Sequence, residues 1–490
     1  MNEILKNRND IRRKDRPIFI AIIFLPVLLV WRDLTNDVWF LLNSGRYVVQ
    51  QGIPVIEPFT LHQGFEFVMQ QWLSAVIFWG TYSAFGIAGL KLLVVLFFAL
   101  TVFVLYRLCM KLSGNYFFVS AIITFGASLL FGVWLSCRPF LFSTLIFMLE
   151  VYFLESFIQS KKKHYLFFIP ILSILLINLH ASMWPIFFIL LGPYIIDAFR
   201  FKMGKISGQG YEKKTLLIVT GVSLAAGLAN PYGWQGMTYL KRSYGHPEIS
   251  QVVAEMRPPT VTEPVGVMVF LAILLVFLAY LLHRTGKTNV RYVLLTFGTA
   301  YMALSSQRSA VLFAVCAGFP LAEYLKNLEV NISQEETTRR EHVLKSALFV
   351  LIIAVALMGF FYQPETFKQS SAQLTELDET IDTILAEGDV NSIVLYTGYD
   401  DGSYAEFMGL KPYIDPRAEV FVIENNQKDD VMQEYYDLQT GRLYYRDFLA
   451  KYQFTHLIVT EYDILYIDLL NDTDYQLAYS NDSYSLFEKK

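Results

Sequence analysis

The sequence predicts a polytopic α-helical membrane protein with a small α/β domain at its C-terminal end. Hydrophobic residues make up 54% of the 490 residues and charged residues only 17%, against about 25% charged in soluble domains. Apolar runs of about 15 to 22 residues recur, and each could cross most of a ~30 Å hydrocarbon core as a helix. Composition then changes near residue 363, because residues 364–490 hold 25 acidic and 9 basic residues, whereas residues 1–363 hold 19 acidic and 31 basic residues.

Hydropathy predicts about 11 transmembrane helices. They are expected near residues 17–32, 87–108, 116–135, 140–158, 165–180, 183–200, 214–229, 264–283, 290–305, 309–325 and 343–362. Arginines and lysines between positions 8 and 16 precede the first run, and no small-residue cleavage site follows it. We therefore expect an uncleaved first helix whose basic end is cytoplasmic.

The side of the membrane on which each loop lies depends on residues 72–85, a short apolar piece that runs into the next span. If this piece lies at the membrane without crossing, every cluster of Lys and Arg falls in a short cytoplasmic loop, as the positive-inside rule requires. An odd number of crossings then places the acidic C-terminal region outside the cytoplasm. We predict a transmembrane domain at 1–363, with a first outer loop at 33–86, and an extracytoplasmic domain at 364–490.

The C-terminal region alternates between strand-like and helix-like segments. Short β-branched runs lie at 392–396, 411–414 and 455–460, and helical patterns at 373–386, 428–438 and 443–452. This alternation predicts the small α/β domain. No GxGxxG or GxxxxGKS motif follows a predicted strand, so a nucleotide-binding loop is not indicated.

The first outer loop contains the strongest candidates for catalysis. Asp37 and Arg46 lie in a helix-like stretch, and Glu57 lies in a proline-flanked turn. A carboxylate near an arginine could deprotonate an acceptor hydroxyl while the arginine neutralises a phosphate leaving group. The alternative is an amphipathic interfacial helix in which Asn36 or Asp37 is an ordinary N-cap.

Further polar residues lie at the predicted outer ends of the helices. Arg138 could bind a phosphate through two parallel hydrogen bonds, or could anchor a helix end by extending to the membrane surface. Arg308 lies in a tight predicted turn between two apolar spans, where a structural end-anchor is favoured. His180, two residues after Asn178, could be a proton carrier, a metal ligand, a hydrogen-bond donor or a structural group. Gln71 and Trp72 stand where the first outer loop meets the next helix.

Several kinds of site are not indicated by the motifs. No pair of histidines shares a helix face with a carboxylate, no GxSxG motif occurs, and no basic and aromatic stripe predicts a nucleic-acid partner. Cys109, Cys137 and Cys316 lie in or beside apolar segments, as small buried hydrophobic residues do. A divalent cation is one option for a cofactor, although no ligand spacing indicates a metal site.

A series of motifs, in this order, resembles a known family. They are Asp37, Trp39, Gly45 and Arg46 in the pattern D-x-W-x5-G-R, followed by IPVIEPF (53–59), QQWLS (70–74), CRPFLFS (137–143), INLHAS (177–182), ANPYG (229–233) and YIDPRAEVF (413–421). From about residue 33 to the C-terminus the chain resembles the bacterial GT-C-fold membrane glycosyltransferases of the dolichyl-phosphate-mannose protein mannosyltransferase-like or oligosaccharyltransferase-like type.

The resemblance implies an inverting transfer of a sugar from a polyprenyl-phosphate donor to a cell-envelope acceptor, at the outer face of the bacterial cytoplasmic membrane. The acceptor would be a polysaccharide, a teichoic acid, a lipid or a protein. Members of the family place an essential acidic residue in the first outer loop, which corresponds here to Asp37, with Glu57 as the second candidate. Donor phosphate and substrate binding would involve Arg46, Arg138, Arg308, Asn178, His180, Gln71 and Trp72.

Two departures from the family pattern keep other functions open. Relatives often carry a histidine four residues after the aspartate, where this chain has Leu41, and a His-Glu pair where it has Gln70 and Gln71. A flippase or transporter for lipid-linked glycans is one alternative; it predicts polar residues throughout the bundle interior and an inverted repeat, and neither is evident in the sequence. A non-catalytic partner in envelope assembly is the other.

Overall fold

The computed structural model describes most of the chain and divides it into two compact units. The described residues are 26, 30–31, 34–243, 245–282, 288–325, 365–386 and 388–490. Unit 1 comprises residues 1–32, 91–233 and 255–362, and unit 2 comprises residues 33–90, 234–254 and 363–490. The first predicted outer loop therefore groups with the C-terminal region by its contacts. The division into 1–363 and 364–490 stays a prediction.

The helices follow the hydropathy pattern. Among the described residues up to 325, the helices are α1 (Asp37–Gln51), α2 (Trp72–Leu112), α3 (Phe117–Gly132), α4 (Phe140–Ser160), α5 (Phe168–Leu179), α6 (Trp184–Asp197), α7 (Lys213–Ala226), α8 (Trp234–Met237), α9 (Tyr239–Ser243), α10 (Pro247–Val252), α11 (Pro264–Leu282), α12 (Val290–Ser305), α13 (Ala310–Ala317) and α14 (Phe319–Leu325). Nine of the predicted spans, from 87–108 to 309–325, coincide with helices. The predicted spans at 17–32 and 343–362 lie almost wholly outside the described residues.

Three of the described helical segments are long and apolar enough to cross a membrane. They are Trp72–Leu112, Phe140–Ser160 and Gln307–Leu325, and shorter apolar helices accompany them. A polytopic helical membrane protein is the fold class that these segments support, while the number of 11 crossings stays a prediction.

A kink divides α2 where the sequence analysis separates residues 72–85 from the next span. Gly86 has φ 61° and ψ −157°, inside an otherwise helical segment of 41 residues. Only glycine adopts this left-handed backbone conformation without steric cost. The kink therefore lies at the predicted break, and the placement of residues 72–85 at the membrane without crossing stays a prediction.

The interior of unit 1 contains a closed network of ionic side chains. Arg291, on α12, donates to both carboxylate oxygens of Glu155 at 2.8 and 3.1 Å and to Asp197 at 2.7 Å. The side chains of all three residues are at most 2% exposed. Tyr292 donates a 2.9 Å hydrogen bond to Glu323 beside them. Because a buried charge is tolerated only when it is paired, this network ties together helices α4, α6 and α12.

Two small sheets complete the fold. In unit 1, β1 (Phe201–Met203) and β2 (Ile206–Gly208) form an antiparallel hairpin, and β3 (Thr288–Asn289) pairs in parallel with β2. In unit 2 a four-stranded sheet has the order β4-β5-β7-β6. The C-terminal elements are α15 (Glu365–Leu385), β4 (Leu395–Tyr396), α16 (Gly402–Phe407), α17 (Ile423–Asn426), α18 (Val431–Gln439), α19 (Tyr445–Tyr452), β5 (His456–Val459), α20 (Ile464–Leu470), β6 (Tyr475–Ser480) and β7 (Ser485–Lys489).

The sheet of unit 2 is mixed. β4 and β5 are parallel and lie within the predicted strands 392–396 and 455–460, whereas the antiparallel hairpin of β6 and β7 was not predicted. The third predicted strand, 411–414, contributes one isolated bridge between Leu395 and Pro412. The parallel pair brings the carboxyl ends of two strands to the same edge of the sheet.

Candidate functional site

Asp37, the first candidate for catalysis, is the first residue of α1 in unit 2 and is half-buried. The backbone carbonyl of Asn36 accepts a 2.8 Å hydrogen bond from Oγ of Ser403, near the start of α16. One turn along α1, the ring of Trp39 lies 5.0 Å from the ring of Tyr404, in an edge-to-face contact. The N-terminal end of α1 is thus fixed against α16 at the position of Asp37.

The rest of the D-x-W-x5-G-R pattern packs α1 against its neighbours. A Cβ atom on Gly45 would lie 2.1 Å from the carbonyl oxygen of Ala75, so only glycine permits the close approach of α1 to α2. Nη2 of Arg46 donates to Oδ1 of Asn43 at 2.7 Å and to the carbonyl oxygen of Phe407 at 2.9 Å. The structure therefore places Arg46 in the contact between α1 and α16.

A cavity of about 380 Å³ opens in unit 2 beside the start of α1. Its walls include residues 398–401, which follow β4, and residues 458–460, 462 and 463, at and after the end of β5, while Asn36 contributes from the chain before α1. Ligands of α/β sheets bind outside the carboxyl ends of parallel strands, which is the edge that this cavity occupies. The geometry makes the cavity a candidate binding site.

The walls of the cavity are acidic and aromatic. Asp400, Asp401 and Asp463 line it, and none of its described lining residues is Lys, Arg or His. Burial raises the pKa of Asp401 to about 7; a 2.8 Å hydrogen bond from Tyr484 opposes the shift, and the charges of Asp400 and Asp463 add to it. The cavity thus disfavours anions.

Tyr399 links the cavity to Asp37. Tyr399 lines the cavity and donates its hydroxyl to the carbonyl oxygen of Pro416 at 2.9 Å. Burial raises the pKa of Tyr399 well above its ordinary value, and the negative charge of Asp37 is the next largest cause. The carboxylate of Asp37 therefore acts electrostatically on the cavity wall.

Glu57, the second candidate for catalysis, lies in a different environment. Its carboxylate accepts hydrogen bonds from the backbone N–H groups of Phe59 and Thr60 at 3.0 Å and from Nη2 of Arg417 at 2.9 Å. Arg417 also pairs with Asp415 and with Glu406, at 2.5 and 2.8 Å. The side chain of Glu57 is fully buried in this ionic cluster.

Gln70, Gln71 and Trp72 mark the start of α2. Nε2 of Gln70 donates a 2.9 Å hydrogen bond to Glu419. Gln71 is buried, with 9% of its surface exposed, and its backbone carbonyl caps the first turn by accepting from Ala75. Trp72 is half-buried and is the first helical residue. These residues hold the end of the first predicted outer loop, and the cavity lining does not include them.

In unit 1, the structure brings Arg138 and Arg308 to the same carboxylate. Nη1 of Arg138 lies 2.7 Å from Oε2 of Glu255, and Nη1 of Arg308 lies 3.3 Å from Oε1. The two arginine side chains are 23% and 21% exposed, so both reach solvent. Burial works against the charged form of Glu255, but the two arginines hold its pKa below the ordinary value. The three groups carry a net positive charge.

His180 lies close to this cluster. Its Nδ1 is 2.7 Å from Oγ of Ser143, and its ring packs edge to face against Phe140 at 6.2 Å. The guanidinium group of Arg308 lies 5.3 Å from the centroid of the same Phe140 ring. Asn178 donates to the carbonyl oxygen of Ala229 at 2.8 Å, within the ANPYG motif. Four of the predicted residues therefore belong to unit 1, in or near one cluster.

Metal binding finds no support among the described residues, where no group of three or more His, Cys, Asp or Glu is arranged to hold an ion. The three cysteines, predicted to be small buried hydrophobic residues, are buried free thiols.

Sequence reasoning missed the residues that form the cavity. Gly398, Tyr399, Asp400 and Asp401 follow a buried strand at its carboxyl end, a position from which ligands are often bound. That signal was present in the predicted strand 392–396 followed by TGYDDG. Glu255 stands out in the sequence as a polar residue of a predicted outer segment, but only the fold reveals that it joins two distant arginines.

Comparison with known proteins establishes the fold. No family model matches the sequence, and no curated protein shows significant similarity to it. The chain is similar to the crystal structure of the oligosaccharyltransferase of Archaeoglobus fulgidus tethered to an acceptor peptide, with a TM-score of 0.56 and 11% identity over 91% of this chain and 68% of that one. The chain has the fold of an oligosaccharyltransferase.

Further structures of the A. fulgidus enzyme give the same result. The complex with an inhibitory peptide and a dolichol-phosphate has a TM-score of 0.53 and 12% identity over 91% of this chain and 69% of that one. The complex with zinc and sulfate has a TM-score of 0.51 and 12% identity over 90% and 68%. At this identity the similarity shows the fold, whereas residue roles have to be argued from the residues themselves.

Proposed function

We propose that this protein is an inverting membrane glycosyltransferase that moves a sugar from a polyprenyl-phosphate donor to a cell-envelope acceptor on the outer face of the membrane. The observation that carries the proposal is the pair of arginines, Arg138 and Arg308, held on Glu255 in an oligosaccharyltransferase fold. Partly exposed guanidinium groups are suited to a phosphate, which accepts paired hydrogen bonds. One fold relative was solved with dolichol-phosphate, a lipid phosphate of the proposed kind.

The arginine cluster supports a phosphate site through its charge. Glu255 neutralises one arginine, so one positive charge remains for a lipid phosphate. Glu255 also keeps the two guanidinium groups together in the absence of donor, which reduces the ordering required when the phosphate binds. Phosphate leaving from the sugar gains negative charge, and these arginines would stabilise it.

Unit 2 supports the other half of the reaction. Asp37 would accept the proton of an acceptor hydroxyl as its oxygen bonds to C1 of the sugar and the bond from C1 to the phosphate oxygen breaks. The products are the glycosylated acceptor and polyprenyl phosphate, and the proton passes from Asp37 to solvent. The acidic cavity beside Asp37 is the proposed acceptor site. Glu57 is enclosed by its partners, so Asp37 is the better supported base.

Phosphate binding can be tested without knowing the sugar. Undecaprenyl phosphate should bind the protein in lipid nanodiscs, and Arg138→Ala or Arg308→Ala should weaken binding about 10- to 100-fold, as loss of a charge-assisted hydrogen bond implies. Each variant leaves Glu255 paired with the other arginine, so folding is retained. Arg200→Ala, at an exposed arginine of the same unit, is the control.

The variant Glu255→Gln distinguishes two possible roles of Arg138 and Arg308, binding of a phosphate and anchoring of helix ends. If the arginines bind phosphate, loss of the competing carboxylate should strengthen binding of undecaprenyl phosphate or leave it intact. Arginines that serve only as end anchors would bind no lipid phosphate in either protein, and that result would overturn the proposed donor site.

Transfer itself requires a donor assay. Tritiated undecaprenyl-phosphate glucose and mannose would be presented in liposomes with envelope extracts as acceptor. Asp37→Asn should lower the rate about 100- to 10,000-fold, the usual contribution of a general base. Asp482→Asn, at an exposed aspartate, should retain the rate. Equal rates in Asp37→Asn and the parent protein would remove Asp37 from the role.

A transporter for lipid-linked glycans is the second candidate, because unit 1 does contain buried charge. Arg291, Glu155 and Asp197 lie inside the helical bundle, as a transport pathway can require. Their hydrogen bonds are satisfied within the network, which favours a structural role. Movement of labelled lipid across proteoliposomes without covalent transfer would support this alternative. Unchanged surface glycans in cells carrying Asp37→Asn and Arg138→Ala would instead support a non-catalytic assembly partner.

A further inference from the structure

The cavity of unit 2 offers several hydrogen-bond acceptors of acidic character. Asp400, Asp401 and Asp463 bring three carboxyl groups to its walls. Asp463 accepts one hydrogen bond on each oxygen, from the N–H of Leu465 and the hydroxyl of Tyr396. A carboxylate can accept about four hydrogen bonds in all, so these groups retain accepting capacity. A ligand that fits this cavity has to donate.

Three of the five tyrosines that line the cavity donate their hydroxyl hydrogens to other groups of the protein. Tyr399 donates to the carbonyl oxygen of Pro416, Tyr404 to Asp378 at 2.6 Å, and Tyr484 to Asp401. What remains available from these side chains is aromatic surface. Aromatic rings together with carboxylates are the surroundings that proteins use to bind ammonium groups.

We propose that the cavity binds an acceptor that carries a positively charged amino group, such as an amino sugar. This inference rests on the proposed function, in which the cavity holds the acceptor beside Asp37. The absence of Lys, Arg and His from its described lining, the three carboxyl groups and the aromatic walls all favour a cation over an anion. The opposite charge of the arginine cluster in unit 1 assigns the anionic donor elsewhere.

The ammonium group would anchor the acceptor and would not react. A protonated amine has no lone pair for attack on C1 of the donor sugar, whereas a hydroxyl on the same acceptor can lose its proton to Asp37. Asn36 and Tyr399 border the cavity near Asp37, so the anchored acceptor would extend from the carboxyl groups toward that residue. Binding and reaction would thus use different groups of the acceptor.

Binding of two matched probes tests the charge. The full-length protein in nanodiscs would be titrated at pH 8 with methyl glucosaminide carrying a permanently charged trimethylammonium group, and with neutral methyl N-acetylglucosaminide. The charged probe should bind at least tenfold more tightly. Equal affinity for the two probes, preference for the neutral one, or no binding of either would overturn the inference.

Two variants link the preference to the cavity. Asp400→Asn removes a negative charge at an exposed lining position and should reduce binding of the charged probe at least fivefold. Tyr462→Ala acts at a residue that is 90% exposed, so the fold should not depend on it, and loss of its ring should also weaken binding. Asp482→Asn is the control. Unchanged affinity in both test variants would contradict a site in this cavity.

These measurements stand apart from the transfer assay, because they contain no donor. Loss of glycosyl transfer without loss of the charge preference would contradict the proposed enzyme and leave the amine site in place. Transfer that depends on Asp37 but proceeds equally well to neutral and cationic acceptors would contradict the amine site alone.

Discussion

Nη2 of Arg417 lies 2.9 Å from Oε1 of Glu57, although 360 positions separate the two residues in the sequence. The contact joins the IPVIEPF motif of the first predicted outer loop to the YIDPRAEVF motif of the C-terminal region, both in unit 2. Phe59 and Phe67 flank the guanidinium group, with ring centroids 5.0 and 5.5 Å away. Two motifs of the family resemblance are thus joined by one ionic contact.

Removing this connection should destabilise unit 2. Arg417→Ala leaves buried carboxylates without their counter-charge, and breaking a buried ion pair from one side costs about 3–5 kcal/mol. We expect a matching decrease in the free energy of unfolding, measured by thermal or denaturant unfolding of the solubilised protein. Arg446→Ala, at a half-exposed arginine of the same unit, should change stability by less than about 1 kcal/mol. Equal stability of the two variants would contradict a supporting role for Arg417.

Two carboxyl groups beside Arg417, those of Glu406 and Asp415, should respond differently to pH. Burial raises the pKa of Glu406 well above its ordinary value; Arg417 opposes this, and Asp415 adds to it through its charge and a hydrogen bond. The stabilisation that Glu406 provides is therefore complete below the ordinary pKa of a glutamate. It is lost as pH rises toward the pKa of Glu406 in the folded protein. Arg417 instead holds the pKa of Asp415 below its ordinary value, against the effect of burial. Stability from Asp415 is present above its ordinary pKa and is lost as pH falls.

The stabilisation from Glu406 and that from Asp415 thus depend on pH in opposite directions. Two matched substitutions test this difference. Glu406→Gln keeps a neutral donor and should be at least as stable as the parent protein at pH 8, whereas Asp415→Asn removes the required charge and should be less stable. Unfolding temperatures from pH 5 to 8 provide the measurement. The reverse order of stability at pH 8 would show that Glu406, not Asp415, carries the charge.

Gly45 should tolerate no side chain. A Cβ atom there would lie 2.1 Å from the carbonyl oxygen of Ala75, so Gly45→Ala forces α1 away from α2 and displaces Asp37 with it. The expected effects are a loss of about 1–3 kcal/mol of stability and a lower transfer rate. Gly80→Ala, within α2 and in open space, is the matched control and should be neutral or stabilising by up to about 1 kcal/mol. Similar stability of the two variants would contradict the close packing.

The sequence predicted the helices better than the contacts between distant residues. Hydropathy is a local property, and nine predicted spans coincide with helices; Gly86 likewise lies at the predicted break in α2. The hairpin of β6 and β7 was missed because its strands are short and only partly buried. The motifs could not distinguish Asp37, near a cavity, from Glu57, inside an ion pair. That distinction depends on Arg417, and no local pattern reports such a partner.

Arg291 should be essential for the stability of unit 1. Its guanidinium group satisfies Glu155 and Asp197 together, in surroundings where all three side chains are at most 2% exposed. Arg291→Lys keeps the charge but cannot reproduce the planar paired hydrogen bonds, so a loss of about 2–4 kcal/mol is expected. Arg107→Lys, at an exposed arginine, is the control. If Arg291→Lys unfolds at the temperature of the parent protein, the network contributes no net stability.

Asp401 should make the cavity sensitive to pH near neutrality. Burial is the main cause of its raised pKa of about 7, and the negative charges of Asp400 and Asp463 raise the pKa further. The hydrogen bond that Tyr484 donates to Asp401 lowers it. Since the ionised form attracts a cation, affinity for tetramethylammonium, whose own charge does not change with pH, should rise about fivefold from pH 6 to pH 8. A fivefold change in affinity requires ~1 kcal/mol of binding free energy. One additional negative charge in a partly exposed site contributes that much.

Two substitutions assign that pH dependence to Asp401. Asp401→Asn should flatten the profile, because it removes the carboxyl group whose pKa is about 7. Tyr484→Phe removes the hydrogen bond that favours the ionised form, so the midpoint of the profile should move to higher pH. The raised pKa of Asp401 in the folded protein also affects stability. The contribution of Asp401 to the free energy of unfolding is complete below the ordinary pKa of an aspartate and is lost as pH rises through about 7. A cation that binds equally at pH 6 and pH 8 would show that Asp401 does not face the ligand, and the proposed anchor would then have to lie with Asp400 and Asp463.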